Sequence, residues 1–257
     1  MIDEIVPSSA AAAEAREDAG GASPFVEEEL IVANAVESRR RSFTTARGCA
    51  RRALSDLGVG PTAIVRGERG EPCWPEGFVG SITHCDGYRA AVVARASDLL
   101  SVGIDAEPNA GLRDGVLEAI SSPEERHALA RLARAEARVG WGRLLFSAKE
   151  SVYKAWYPLT KRWLGFKDAV VTFDAARGRF RARVLVEGPS LPDRCLTGFE
   201  GRWLVRDGLL LTAVACPALP APAAPPAPPL SPAPAQPPAP VGAPAPGSGA
   251  ARSAGRA

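Results

Sequence analysis

The sequence predicts an α+β protein built as a pseudo-twofold pair of similar α/β half-domains, followed by a Pro/Ala-rich tail without fixed structure. Three observations carry this. A stretch with helical periodicity is followed by strand-like runs, and the same order returns further along the chain. Apolar residues make up 46% of the 257 residues, enough to fill a sizeable core. From Pro217 to Ala257 the chain is almost wholly Pro, Ala, Gly and Ser, which cannot bury enough apolar surface to offset its ordering entropy. The boundaries that follow are a loose N-terminal segment over 1–24, half-domains over 25–108 and 109–216, and a disordered tail over 217–257.

From Val26 to Leu57 the residues Leu30, Ala33, Val36, Phe43, Ala50, Leu54 and Leu57 recur at helical steps, giving one long helix or two in succession, stopped by Gly58 and Pro61. AIVRG (63–67) is a short strand candidate, and Gly70, Pro72 and Pro75 mark a loop. FVGSITH (78–84) and YRAAVVARA (88–96) read as a hairpin about Asp86-Gly87. SVGIDAE (101–107) is a further apolar strand closed by Pro108. Ser122 to Ala137 is helical, with Ser122 as N-cap and Pro123 at the first position. LLFSAKESVYKAWY (144–157) is a strong helix, expected to stop at Pro158. Strands follow at 168–174, 178–188 and 201–216, the last with a turn at Asp207-Gly208.

Net charge is +2, which gives no general argument for nucleic acid or a membrane surface as partner. No apolar run reaches the roughly 20 residues that span a bilayer. The acidic start MIDEIVPSSAAAAEARED lacks the basic and apolar regions of a signal peptide. The five cysteines are scattered without a CxxC pair, a pattern that suits reduced thiols in a cytoplasm.

Four patterns could carry chemistry. In VGIDAEP, Asp105 and Glu107 lie two apart in a strand and project to one face, where oxygen-only ligands suit a hard cation such as Mg²⁺. In the helix that follows, Glu150 and Lys154 are i,i+4 neighbours, with a dense set of aromatic and basic residues from Tyr153 to Phe166 beside them. GSITH offers backbone N–H groups, two hydroxyls and His84 to a phosphate. Arginines from Arg39 to Arg52, then Arg66 and Arg69, supply guanidinium groups, with Arg39, Phe43 and Arg47 on one helix face. Alone, each pattern is equally at home on an ordinary surface: a solvated strand end, an ion-paired helix, a turn histidine, a basic face open even to nucleic acid. Together they suit a ligand with several phosphates and a divalent ion.

The order G-S-I-T-H, V-G-I-D-A-E, F-S-A-K-E-S-V-Y-K-A-W resembles the phosphopantetheinyl transferase superfamily, in particular its Sfp/enterobactin-synthase branch of actinobacterial type. The stretch RGERGEPCWPEGFVGSITHCDGYRAAVVA is especially similar, and the likeness runs from about Glu28 to Cys216. It implies transfer of 4′-phosphopantetheine from coenzyme A to a serine of an apo acyl or peptidyl carrier protein, in polyketide, nonribosomal-peptide or fatty-acid synthesis. It implies Asp105, Glu107 and Glu150 as ligands of Mg²⁺, or of Mn²⁺ in its place, with Glu150 as ligand or base. Asp105, Glu150 and Lys154 are the implied catalytic set. Arg39, Arg47, Arg66, Arg69, Thr83, His84, Asp105, Glu150, Lys154 and Leu164 are implied to contact coenzyme A. Arg66 and Arg69 stand where this branch often carries lysines. The family fold implies two half-domains in one chain and hence a monomer, without nucleic-acid or membrane partners. The alternative is a non-catalytic coenzyme A-binding regulator.

Overall fold

Two antiparallel sheets, each backed by one long helix, set the architecture of the computed structural model, which describes residues 1–19, 23, 25–191 and 194–218. The strands are β1 (Ala10–Ala15), β2 (Phe78–Cys85), β3 (Tyr88–Arg95), β4 (Leu99–Pro108), β5 (Ala169–Asp174), β6 (Arg179–Val184), β7 (Ser190–Leu191), β8 (Arg194–Cys195), β9 (Gly198–Arg206) and β10 (Leu209–Pro217). The helices are α1 (Val26–Val32), α2 (Glu37–Asp56), α3 (Val116–Ile120), α4 (Pro123–Ala135) and α5 (Trp141–Thr160). The first sheet runs β1-β3-β2 and the second β4-β10-β9-β6-β5, while β7 and β8 form a small ribbon. The expected α+β class is the observed one.

Period-two alternation explains the layering. Ala91 and Val93 of β3 pack against Cys49, Ala50, Ala53 and Leu54 of α2. Ala90, Val92 and Ala94, on the opposite face, join Val102, Ile104 and Ala106 of β4 and Leu209, Leu211 and Ala213 of β10 in a central core. Leu210 and Val214 turn the other way, toward Leu144, Leu145, Ala148, Val152, Ala155 and Trp156 of α5. β3 and β10 are thus buried on both faces, which is why they read as continuous apolar runs. The hairpin turns fall where expected, with Gly87 at φ 69° and Asp207-Gly208 at φ 51° and 74°.

Several expectations are corrected. The N-terminal segment is not loose: β1 pairs with β3 from Ala10↔Ala94 to Ala15↔Arg89, and Ile2, Ile5 and Val6 are buried in the central core. Its alanines carry no strand propensity; Ala11, Ala13 and Ala15 are held by packing against the α2 cluster. Glu14 fixes the segment by accepting from the Tyr88 hydroxyl (2.6 Å) and the Ile2 N–H (3.0 Å). Residues 63–67 make one isolated bridge, Arg66 to Pro72, instead of a strand. Pro158 lies inside α5, which runs two residues further and ends where Lys161 takes a left-handed conformation. The helix continues past the proline to its C-cap, where Lys161 N–H reaches the Tyr157 carbonyl at 2.8 Å. β4 was placed in the first half by the boundary at 108, yet its ladder runs to β10 of the second sheet. Pro217 is part of β10, and the Ala218 N–H bonds the Asp98 carbonyl at 2.9 Å, so order extends past the expected tail boundary. The remainder of that tail lies outside the described residues.

Candidate active site

Where the two sheets meet, β4 is an edge strand of the second and would present unpaired N–H groups. Two hydroxyls of β2 satisfy them: Ser81 Oγ accepts from Ile104 N–H and Thr83 Oγ1 from Ala106 N–H, both at 3.0 Å. Residues two apart on β2 therefore stitch residues two apart on β4. On the other side α5 presses onto Gly103, where a Cβ would collide with the backbone of Ser151 and Ala155. That close approach lets Lys154 Nζ donate to the Ile104 carbonyl at 3.0 Å and to Asp105 Oδ1 at 2.8 Å. Asp105 Oδ1 also accepts from Thr83 at 3.3 Å, while its buried Oδ2 has no partner.

The other two carboxylates differ. Glu107 Oε2 accepts from Arg143 at 2.9 Å, across from the first turn of α5. Glu150 makes no hydrogen bond or ion pair among the described residues. Burial pushes the Glu150 carboxyl above its ordinary range; Lys154 opposes this, and the charges of Asp105 and Glu107 add to the rise. Glu107 is raised too, by burial and then by Asp105, with Arg143 and Lys154 pulling the other way. Three carboxylates near one another, two of them raised, with one buried Asp105 oxygen bare, fit a hard cation in their midst. They do not stand as a finished cage: among the described residues no group of three or more His, Cys, Asp or Glu side chains is close enough to hold a metal ion. Lys154 and Arg143 occupy the remaining charge.

Beside Asp105, a pocket of about 200 Å³ brings together Arg39, Arg47, Arg66, Thr83, His84 and Lys154. Arg47 is buried at 5% exposure, donates Nε to the Ile64 carbonyl at 2.8 Å and lies 4.5 Å over the Phe43 ring. Burial brings its pKa down to about 10, with Arg66, Arg51 and Arg39 adding to the fall. Arg39 meets His84 Nε2 at 2.5 Å. His84 is exposed at the rim of the pocket, yet partial desolvation, with Arg39 and Lys154 nearby, brings its pKa down to about 4. The imidazole is neutral and accepts from Arg39. Lys154 is matched by Asp105, but Arg39, Arg47 and Arg66 form no ion pair among the described residues, and three such guanidinium groups together call for an anionic ligand.

This pocket adjoins a larger groove of about 430 Å³, which shares Lys154 and adds Arg69, Trp74, Glu150, Tyr153 and Tyr157. A small recess of about 100 Å³ shares Glu150 and Tyr153 and is closed by Trp163, Leu164 and Phe166. The cleft is thus cationic at one end, acidic in the middle and apolar at the other.

The structure gathers nearly all of the residues expected to act together. Arg69 lines the groove and not the cationic pocket, and Thr83 turns its hydroxyl to Asp105 and the β4 backbone. The helix spacing suggested a Glu150–Lys154 ion pair; Lys154 instead bonds Asp105. Arg143 was missed, although it stands four residues before Ser147 and eleven before Lys154, a helical repeat that puts it on the same face. Ser81, by sequence a candidate phosphate donor, instead accepts from the β4 backbone. Trp74, stacked against Gly80 and donating to its carbonyl at 3.0 Å, left no signal beyond its place in the loop.

Comparison with known proteins agrees with this arrangement. The family model of the 4′-phosphopantetheinyl transferase N-terminal domain matches residues 27–94, and that of the 4′-phosphopantetheinyl transferase superfamily matches residues 101–206. The chain is similar to 4′-phosphopantetheinyl transferase PptT of Mycobacterium tuberculosis, 49% identical over 83% of this chain and 97% of the relative. It is similar to 4′-phosphopantetheinyl transferase Svp of Streptomyces mobaraensis, 52% identical over 85% and 90%. A more distant relative, enterobactin synthase component D of Salmonella typhimurium, is 30% identical over 76% and 82%. With β2, β4 and α5 meeting as the motifs require, the chain belongs to the 4′-phosphopantetheinyl transferase superfamily.

Proposed function

We infer that this cleft transfers 4′-phosphopantetheine from coenzyme A to a serine of an apo carrier protein and releases 3′,5′-ADP. The observation that carries the reading is the continuity of a cationic pocket, an acidic centre and an apolar groove, with Lys154 common to the first and third. Phosphates of coenzyme A suit Arg39, Arg47, Arg66 and His84; the pantetheine arm suits the groove and the recess at Leu164. Asp105 and Glu107 would hold a divalent cation, Mg²⁺ or Mn²⁺, which supplies charge neutralisation at the pyrophosphate, with Glu150 beside them.

A serine hydroxyl is a weak nucleophile at neutral pH, so its proton must leave as it attacks. Glu150, raised in pKa and free of partners, is the base. The serine oxygen forms a bond to the β-phosphorus, the bond from that phosphorus to the bridging oxygen breaks, and the electron pair goes to the 3′,5′-ADP phosphate. Lys154 steadies that leaving phosphate and orients Asp105. Exposed Lys161 lines the groove, and the exposed Arg162 and Trp163 follow it in the chain, a surface suited to an acidic carrier. The regulator alternative has less support, because the similar proteins are named transferases and simple binding does not require an unpaired base.

The test is to mix the chain with coenzyme A, Mg²⁺ and an apo carrier, and then weigh the carrier. A gain of one phosphopantetheine arm is expected in the wild type and is lost in Asp105→Ala. No gain across several carriers overturns the transferase reading; near-normal transfer by Asp105→Ala overturns the metal assignment.

A further inference from the structure

Asp105 and Glu107 are treated alike by α5. Each has one oxygen tied to a cation of that helix: Asp105 Oδ1 to Lys154 at 2.8 Å and Glu107 Oε2 to Arg143 at 2.9 Å. Each leaves its second oxygen without a hydrogen-bond partner among the described residues, Asp105 Oδ2 being fully buried. Arg143 does more than form a pair. Its other terminal nitrogen donates to the Gly111 carbonyl at 2.7 Å, so the planar fork spans the end of β4 and the turn beyond it. The same turn is fastened to the start of α5 by Asn109, whose Oδ1 accepts from Gly140 N–H and whose Nδ2 donates to the Arg138 carbonyl, both at 2.8 Å. Arg143 Nε is buried and unpartnered. The guanidinium is aimed at Glu107 and Gly111 at the expense of its own third donor, an arrangement that simple anchoring of the turn does not need.

We propose that Arg143 is a positioning residue for the cation site: by holding Glu107 Oε2 it leaves Oε1 as the single oxygen available to the ion, fixed relative to Asp105. This rests on the divalent-cation reading given above. Residues behind a metal ligand that orient it contribute about 10–100-fold in affinity, and Asp105 already has such a partner in Lys154.

The experiment measures Mn²⁺ binding by electron paramagnetic resonance, with full-length protein and coenzyme A, without carrier. Wild type binds Mn²⁺ and Asp105→Ala does not; absence of binding by wild type sinks the cation reading and the proposal with it. Given binding by wild type, Arg143→Gln is expected to weaken Mn²⁺ about tenfold. Arg143→Lys keeps the charge but not the fork, and it too is expected to bind Mn²⁺ several-fold more weakly. An unchanged or tighter Mn²⁺ affinity in Arg143→Gln overturns the proposal, whatever its melting temperature. Should that variant fail to fold, Arg143→Lys decides: full affinity there means that charge alone matters and the positioning role falls. A merely structural role lowers the melting temperature and leaves Mn²⁺ affinity unmoved.

Discussion

Lys149 and Lys154 lie five residues apart on one helix, yet they are different kinds of residue. Lys149 is 4% exposed, and its ammonium finds three acceptors: the Ile120 and Phe166 carbonyls at 2.8 and 2.7 Å and Glu125 Oε2 at 3.0 Å. Glu125 is equally complete, taking the Ser122 N–H of its capping box and the Val171 N–H, each at 2.8 Å. That pair locks α4, α5 and β5 together. Among the described residues Lys154 bonds only Ile104 and Asp105, and its remaining donor faces the cleft, while its neighbour Glu150 bonds none of them. A buried charge whose valences are all filled holds the fold; one left partly unfilled is available to a substrate.

Four experiments can break or sharpen this contrast. The largest effect is expected for Lys149→Met, which leaves Glu125 buried and unpaired and should cost about 3–5 kcal/mol in denaturant unfolding. Lys154→Met leaves Asp105 only its bond from Thr83 and should cost less, about 1–3 kcal/mol, but slow carrier modification by about 10²–10³-fold; if both variants lose stability equally, the contrast fails. Gly103→Ala would push α5 off β4 and should destabilise by about 1–3 kcal/mol. Because it withdraws Lys154 from Asp105, it should also depress transfer more than other variants of equal stability.

The smallest effect concerns protons. His84 has its pKa held near 4, below the ordinary value of 6.5, by partial desolvation and then by Arg39 and Lys154. Between those values the unfolded chain binds the proton and the folded one does not, so this contribution to stability is complete above about pH 6.5 and is lost as pH falls toward 4. In NMR titration of the two histidines, Lys154→Met should raise the His84 pKa and Lys149→Met should leave it in place. Coenzyme A phosphates should raise it also, so that binding takes up a proton on the acid side of neutrality. A His84 resonance titrating at its ordinary value in the wild type counts against the cationic pocket.

The local elements were legible because they rest on short-range rules. Ser122-Pro123 opened α4 with a full capping box, and Asp86-Gly87 and Asp207-Gly208 turned their hairpins as dipeptides of that kind do. β1 was illegible because alanine announces no strand; only the α2 surface and the β3 edge make one of it. Asp105 and Glu107 could be paired from strand spacing, and the arginines of α2 from helix spacing. The partners of each charge could not be read, since Arg143 and Glu107 are 36 residues apart, Lys154 and Asp105 are 49 apart, and Ser81 and Ile104 are 23 apart.

The sequence by itself determined the α+β class, the family and most of the groups that supply charge to the cleft, Arg143 excepted. Tertiary structure decided which of those charges are already satisfied. A one-dimensional pattern records which chemistry a helix or strand face presents, whereas satisfaction depends on what the opposing element brings within 3 Å. For Lys149 that element is α4 with Glu125, and for Lys154 it is β4 with Asp105, brought close by Gly103.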